Sequence, residues 1–142
     1  MKKKVLITGG AGYFGESLLE KLIDRGFDCS VLDINLPDKN LINSINFFKT
    51  DIRDYDGVLE ASRGIDYIFH NVAQVPLAKN KALFNSVNNL GTKNIVRAAV
   101  VNGCKHLVYT SSSAIYGVPR YNPVSEATLP RPVEEYGQAK LD

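Results

Sequence analysis

The chain has 142 residues, 44% hydrophobic and 23% charged, enough apolar material for one globular domain with a real core rather than a disordered tail. Its net charge of +2 is too small and too evenly spread to make nucleic acid or an anionic membrane the main partner. No apolar run reaches membrane-spanning length, and Val5-Leu6-Ile7 behind Lys2-Lys3-Lys4 falls far short of a signal peptide, so a cytoplasmic location is expected.

The first apolar run, Lys4 to Ile7, reads as a buried strand emptying into Thr8-Gly9-Gly10-Ala11-Gly12-Tyr13-Phe14-Gly15. In such a turn one glycine bends the chain sharply. Another lets the backbone approach a pyrophosphate without a Cβ, and a third lets helix and strand pack closely. Gly9, Gly12 and Gly15 are placed for those jobs, and Gly10, Gly12 and Gly15 also satisfy the looser fingerprint spacing. The amides after Gly12 would then open a helix whose positive end faces the phosphates. Phe14, Leu18, Leu19, Leu22 and Ile23 share one face of that helix, which stops at Arg25-Gly26.

The second strand, Cys29 to Leu32, ends at Asp33, 21 residues past Gly12, where a carboxylate accepts hydrogen bonds from an adenosine ribose. The same carboxylate repels a 2′-phosphate, and no arginine follows directly, which favours NAD over NADP. Lys39 is the nearest cation that a 2′-phosphate would find. A third strand, Ile45 to Phe48, leads to Asp51-Ile52-Arg53-Asp54, where a carboxylate and a backbone amide can read the adenine edge and Asp54 suits a helix N-cap.

Tyr67 to Phe69 form the fourth strand, followed by His70-Asn71-Val72-Ala73, small residues that let ribose and phosphates lie close. His70 is read as structural, because neither a metal partner nor a carboxylate is spaced to serve it. Leu83, Phe84, Val87, Leu90, Ile95, Ala98 and Ala99 then line one long helix ending at Asn102-Gly103. Cys29 and Cys104 match no metal-ligand or redox spacing; reduced, partly buried thiols are expected, and no metal site is.

The fifth strand, Leu107 to Tyr109, runs into Thr110-Ser111-Ser112-Ser113-Ala114-Ile115-Tyr116-Gly117. A proline-rich excursion from Val118 to Pro132 precedes a helix starting near Val133-Glu134-Glu135. On it Tyr136 and Lys140 are one turn apart, so the ammonium favours the phenolate and fits the tyrosine for acid or base work. A hydroxyl from Ser112 can hold the reacting oxygen or share the proton. Strands alternating with helices demand a doubly wound parallel α/β sheet of Rossmann type over residues 1–142. A sixth strand, needed to complete such a sheet, is missing, so the chain reads as the first part of something longer.

As a set these motifs resemble the short-chain dehydrogenase/reductase superfamily, in its extended branch of nucleotide-sugar epimerases and dehydratases. They include Asn88 ahead of Gly91-Thr92, Ser112 four before Tyr116-Gly117, and Tyr136 to Lys140. The resemblance implies NAD held by Gly9, Gly12, Tyr13, Phe14, Gly15, Asp33, Asp51, Ile52, Asn71, Val72, Ala73, Asn88, Tyr136 and Lys140. It makes Tyr136 the catalytic acid/base, Lys140 the charge on the nicotinamide ribose, and Ser112 the support for proton transfer. The implied substrate is a nucleotide sugar, the implied assembly a homodimer, and the implied reaction transient oxidation of a secondary alcohol. Dehydratases of the branch follow the catalytic hydroxyl with an Asp-Glu pair; Ser113-Ala114 stand there, which disfavours dehydration. Hydroxysteroid-type dehydrogenases share the Tyr-Lys pair and the Gly91-Thr92-Lys93-Asn94 segment, and are the alternative enzyme reading. A non-catalytic dinucleotide-binding module is the alternative from outside enzymology.

Overall fold

The computed structural model describes residues 2–75 and 80–142, built around a five-stranded parallel sheet of order β3-β2-β1-β4-β5. The strands are β1 (Lys4–Thr8), β2 (Asp28–Asp33), β3 (Asn46–Lys49), β4 (Tyr67–His70) and β5 (His106–Tyr109). Each lies within two residues of the run expected from the sequence. Val5 pairs with Cys29 on one side and Tyr67 on the other, so β1 lies at the centre.

Alternation along β1 divides the core into two layers, as a two-residue side-chain period requires. Val5 and Ile7 face one side with Cys29 and Val31, against Leu19 and Leu22 of α1 (Tyr13–Asp24). Leu6, Leu32 and Ile68 face the other side, against Val58 and Ala61 of α2 (Tyr55–Ala61) and Ile95 and Ala98 of α4 (Gly91–Val101). Helices on both faces make the sheet doubly wound, as expected. Asp54 N-caps α2, accepting from the Gly57 amide at 3.4 Å.

The helix stops also follow from local chemistry. After α1, Gly26 takes a φ of +79°, its amide donates to the Ile23 carbonyl, and the Phe27 amide donates to Leu22. Gly103 ends α4 in the same way at a φ of +67°, with the Cys104 amide donating to Ala99.

Three expectations need correction, the simplest being Leu90, set on the apolar face of the long helix but 47% exposed. Phe14, placed by its spacing on the buried face of α1, is 56% exposed, because Gly15 takes the inward position in that first turn. The long helix is not one regular helix. It comprises α3 (Lys81–Asn85), a π-helical turn (Ser86–Leu90) and α4. In the wider turn the Gly91 amide donates to the Ser86 carbonyl, five residues back, and just beyond it the Thr92 hydroxyl donates to the Asn88 carbonyl at 2.6 Å. Hydrophobic spacing alone carries no mark of such a turn.

The strand order reverses between β1 and β4, and their carboxyl ends therefore open a crevice at the point where open α/β sheets bind ligands. Beyond β5 a short 3-10 helix (Ser113–Tyr116) precedes the excursion, and α5 (Glu135–Leu141) follows it. The excursion is pinched shut at its base. The Arg131 amide donates to the Ile115 carbonyl at 2.8 Å, and Gly117, at a φ of +59°, lies so close to the Arg131 carbonyl that a Cβ would overlap it.

Two glycines distinguish clash from strain. A Cβ on Gly15 would stand 2.0 Å from the Gly9 carbonyl oxygen, whereas one on Gly26 would meet nothing within 4 Å. We expect Gly15→Ala to cost about 3 kcal/mol or more by overpacking, and Gly26→Ala about 1 kcal/mol through its positive φ alone. Urea midpoints of the two variants measure the difference.

Candidate functional site

A cleft of about 490 Å³ opens at the carboxyl ends of the strands. Gly9, Ala11 and Gly12 form one wall, Asp33 to Asn35 the next, Thr50 to Arg53 the far end, and Asn71 to Gln74 the opposite wall. The walls touch at the switch point: a Cβ on Gly9 would lie 3.0 Å from the Val72 amide nitrogen.

The glycines of the turn answer different demands. Gly9 needs its φ of +72°, Gly10 abuts Val31, and Gly15 abuts the Gly9 carbonyl. Gly12 answers to nothing inside the protein, since it has a φ of −89° and a Cβ there meets only the Gly9 carbonyl oxygen at an ordinary 3.4 Å. It N-caps α1 without a side chain, leaving the amides of Tyr13, Phe14 and Gly15 without helical acceptors. A bare backbone at a helix N-terminus beside a large cleft fits a pyrophosphate. Tyr13 and Phe14 offer those amides only; their side chains are 97% and 56% exposed.

Asp33 is 9% exposed, and both carboxylate oxygens are anchored. Oδ2 accepts from the Ala11 amide at 3.1 Å and Oδ1 from the Asn35 amide at 2.9 Å, so one side chain ties the glycine turn to the end of β2. The remaining lone pairs of a carboxylate held this way suit a vicinal diol. Asp51 is less available. Arg53 donates to it from side chain and backbone, and that bonding holds the carboxyl below its ordinary range. Ile52 is 3% exposed and wedges beneath α4 against Gly91, where a Cβ would stand 2.6 Å from its methyl.

Asn88 does not line the cleft. Its amide bonds the β4 loop, accepting from the Gln74 amide at 2.8 Å and donating to the Gln74 carbonyl at 3.1 Å. Through Gln74 it shapes the cleft wall. Asn71, Val72 and Ala73 are where the sequence places them, along that wall.

The Tyr-Lys helix adjoins this wall through β5. Lys140 is 7% exposed and donates to the Thr110 carbonyl at 2.8 Å. Thr110 in turn donates from its amide to the His70 carbonyl and from its hydroxyl to Asn71 Oδ1. The Lys140 ammonium stands 5.9 Å from the centre of the Tyr136 ring. Burial lowers its pKa, and among the described residues no carboxylate pairs with it. Ser112 Oγ accepts from the Ala114 amide at 3.2 Å, which leaves its hydroxyl proton free to be donated. Gly137 brings α5 onto this segment, since any Cβ would collide with the Ala114 carbonyl. The sequence reading missed Gly137; a glycine next to a candidate catalytic tyrosine was the available signal.

Behind Lys140 lies His70, fully buried and bonded at both ring nitrogens. The Thr92 hydroxyl donates to the Asn88 carbonyl, so it accepts from Nε2–H, and Nδ1 accepts from the Thr8 hydroxyl at 2.6 Å. Burial, aided by the nearby Lys140 charge, pushes the imidazole pKa down to about 3, keeping it neutral. Cys29 and Cys104 are free thiols whose pKa values burial raises, the first to about 11, which fits inert thiols. Among the described residues no helix is long and apolar enough to cross a membrane.

This sheet, glycine turn and Tyr-Lys helix define a dinucleotide-binding α/β protein of the short-chain dehydrogenase/reductase type. The chain belongs to the NAD dependent epimerase/dehydratase family, whose model matches residues 5–142. The uncharacterized protein y4nG of Sinorhizobium fredii is 52% identical over 139 residues, 98% of this chain and 35% of its own length. A mouse sterol-4-alpha-carboxylate 3-dehydrogenase, decarboxylating, is 30% identical over 142 residues, 98% of this chain and 39% of its own. The crystal structure of Thermus thermophilus UDP-glucose 4-epimerase in complex with NAD superposes at a TM-score of 0.86 and 34% identity, covering 96% of this chain and 47% of that one. The chain thus spans less than half the length of the relatives it matches.

Two measurements probe the site without turnover. Gly12→Val costs about 1 kcal/mol, since a Cβ there meets no clash and only the N-cap preference is lost, but it abolishes NAD binding in titration calorimetry, with urea midpoints as the stability check. The second follows from His70, whose pKa is lower folded than unfolded. The unfolded chain therefore takes up a proton near pH 6.5 that the folded chain refuses until about pH 3, and stability falls as pH falls through that window. His70→Gln should flatten the dependence between pH 6.5 and 4.5, measured as urea midpoints beside the wild type.

Proposed function

We propose that this chain binds NAD and serves a protein that oxidises a secondary alcohol of a nucleoside-diphosphate sugar and returns the hydride to the opposite face, a 4-epimerase-type reaction. The observation that carries the reading is Lys140, a buried ammonium with no counter-ion among the described residues, one helical turn from Tyr136 and bonded to Thr110, whose hydroxyl bonds the cleft residue Asn71. Such a charge favours the phenolate of Tyr136, which then takes the proton of the substrate hydroxyl. Ser112, with its hydroxyl proton free, donates to the same substrate oxygen as charge develops there. When bound, NAD supplies the hydride acceptor and, for epimerisation, the donor. The open amides at Gly12 hold its pyrophosphate, Asp33 the adenosine ribose, and Ile52 with the Asp51 backbone the adenine end. The wall from Asn71 to Ala73 accepts the remaining ribose.

A second reading, a hydroxysteroid-type dehydrogenase, is favoured by the 30% identity to the mouse sterol dehydrogenase. A third, a dinucleotide-binding module without turnover of its own, is favoured by the share of each relative that the chain spans. The protein is proposed to act in the cytoplasm as a homodimer, its exposed Val96 and Val100 on α4 covered by a second copy.

The deciding experiment is calorimetric titration of the 142-residue chain with NAD and NADP, followed by UDP-glucose and a 3β-hydroxysteroid in the presence of NAD. Saturable NAD binding with weak NADP binding supports the cofactor assignment. Interconversion of UDP-glucose and UDP-galactose without net NADH supports the epimerase, and NADH accumulating with the steroid supports the dehydrogenase. Binding with neither reaction supports the module, and absence of NAD binding overturns all three. Where turnover is seen, Tyr136→Phe should reduce it about 10²- to 10⁴-fold with little change in NAD affinity.

A further inference from the structure

The environment of Lys140 poses a problem in electrostatics. The ammonium is 7% exposed and accepts stabilisation from one carbonyl, that of Thr110, with no carboxylate partner among the described residues. An isolated buried ammonium is costly and tends to lose its proton. A carboxylate partner would remove that cost, but it would also cancel the field that the proposed reaction needs at Tyr136.

Tyr109, the last residue of β5, resolves the conflict. The Lys140 ammonium stands 4.4 Å from the centre of the Tyr109 ring, closer than its 5.9 Å to the Tyr136 ring. An aromatic face attracts a cation through its quadrupole and carries no net charge, so it steadies the ammonium without neutralising it. The Tyr109 ring is itself fixed. It stacks on His70, its cross-strand neighbour, at 5.6 Å between centroids and 18° between planes. Burial raises its pKa, so the phenol stays neutral. His70 is neutral as well, bonded to Thr8 and Thr92. The titratable groups around Lys140 are therefore Tyr109 on β5, His70 on β4 and Tyr136 on α5, and neither Tyr109 nor His70 brings a charge of its own.

We propose that Tyr109 is a positioning residue whose ring, braced by His70, seats the Lys140 ammonium as an uncompensated charge aimed at Tyr136. The inference rests on the role of Lys140 given above, but the seat itself exists independently of any substrate. Tyr109→Phe preserves the ring and its quadrupole. Phenylalanines carrying one, two and three ring fluorines at position 109 keep the volume and drain the quadrupole step by step.

The test is the titration of Lys140, followed by NMR at its labelled Cε in the ligand-free 142-residue chain, with backbone amide dispersion as the check on folding. Tyr109→Phe should leave the midpoint within about 0.3 of the wild type. Three fluorines should lower it by about one pH unit, a tenfold loss of proton affinity, with intermediate steps between. A midpoint unmoved across the series overturns the proposal. If the fluorinated chains fail to fold, Tyr109→Met, close in volume and without a ring, gives the same comparison. Turnover of a substrate with an unmoved midpoint rejects the seat and spares the proposed function. A shifted midpoint with no turnover of any substrate upholds the seat and rejects that function.

Discussion

The carbonyl of Gly9 is the point on which the arrangement depends. It accepts from the Gly12 amide at 3.2 Å, closing the turn, and the inner face of α1 lies on it so tightly that Gly15 has no room for a single carbon. Because α1 is seated there, its first amides open at the cleft instead of being covered by a longer loop. The same turn reaches sideways to the Val72 amide and, through Ala11, to Asp33. One close backbone approach therefore sets the separation of three cleft walls, each carried on a different strand.

The second half of the site obeys a different constraint, the burial of polar groups. Thr8 on β1, His70 on β4, Thr110 just past β5, and Asn88 and Thr92 on the helical segment are joined in one chain of hydrogen bonds, all but the Thr92–Asn88 bond linking separate parts of the fold. The π-helical turn belongs to this chain of contacts. Asn88, within it, bonds Gln74, and Thr92, one turn on, bonds His70. Networks of this kind are costly when incomplete and rigid when satisfied, which suits a scaffold that must hold an ammonium at fixed distance from a phenol.

Much of this was legible in the sequence because the signals were local. Strand runs, the glycine spacing, Asp33, the Gly26 and Gly103 stops and the Asp54 cap each rest on residues within a few positions of one another. The mistakes came where local pattern and tertiary context part. Phe14 has helical spacing with Leu18 but sits in the one turn of α1 where a glycine must face inward. The π-helical turn interrupts a helix that periodicity reads as continuous, and the Gln74 bonds of Asn88 beside it are long-range contacts that no local pattern announces. Tyr109 read as a strand residue and nothing more, since its relation to Lys140 spans 31 positions and exists only once α5 folds back on β5.

The pinch between Gly117 and Arg131 separates two kinds of change over evolutionary time. The residues between them hang from a closed neck, so insertions there act as surface-loop extensions, each doubling of length costing only about 0.6 kcal/mol of closure entropy. Tyr136 and Lys140 lie beyond the neck and are indifferent to what it encloses. New shapes can thus be tried in that loop, one after another, by a lineage that never has to rebuild the Tyr136–Lys140 pair.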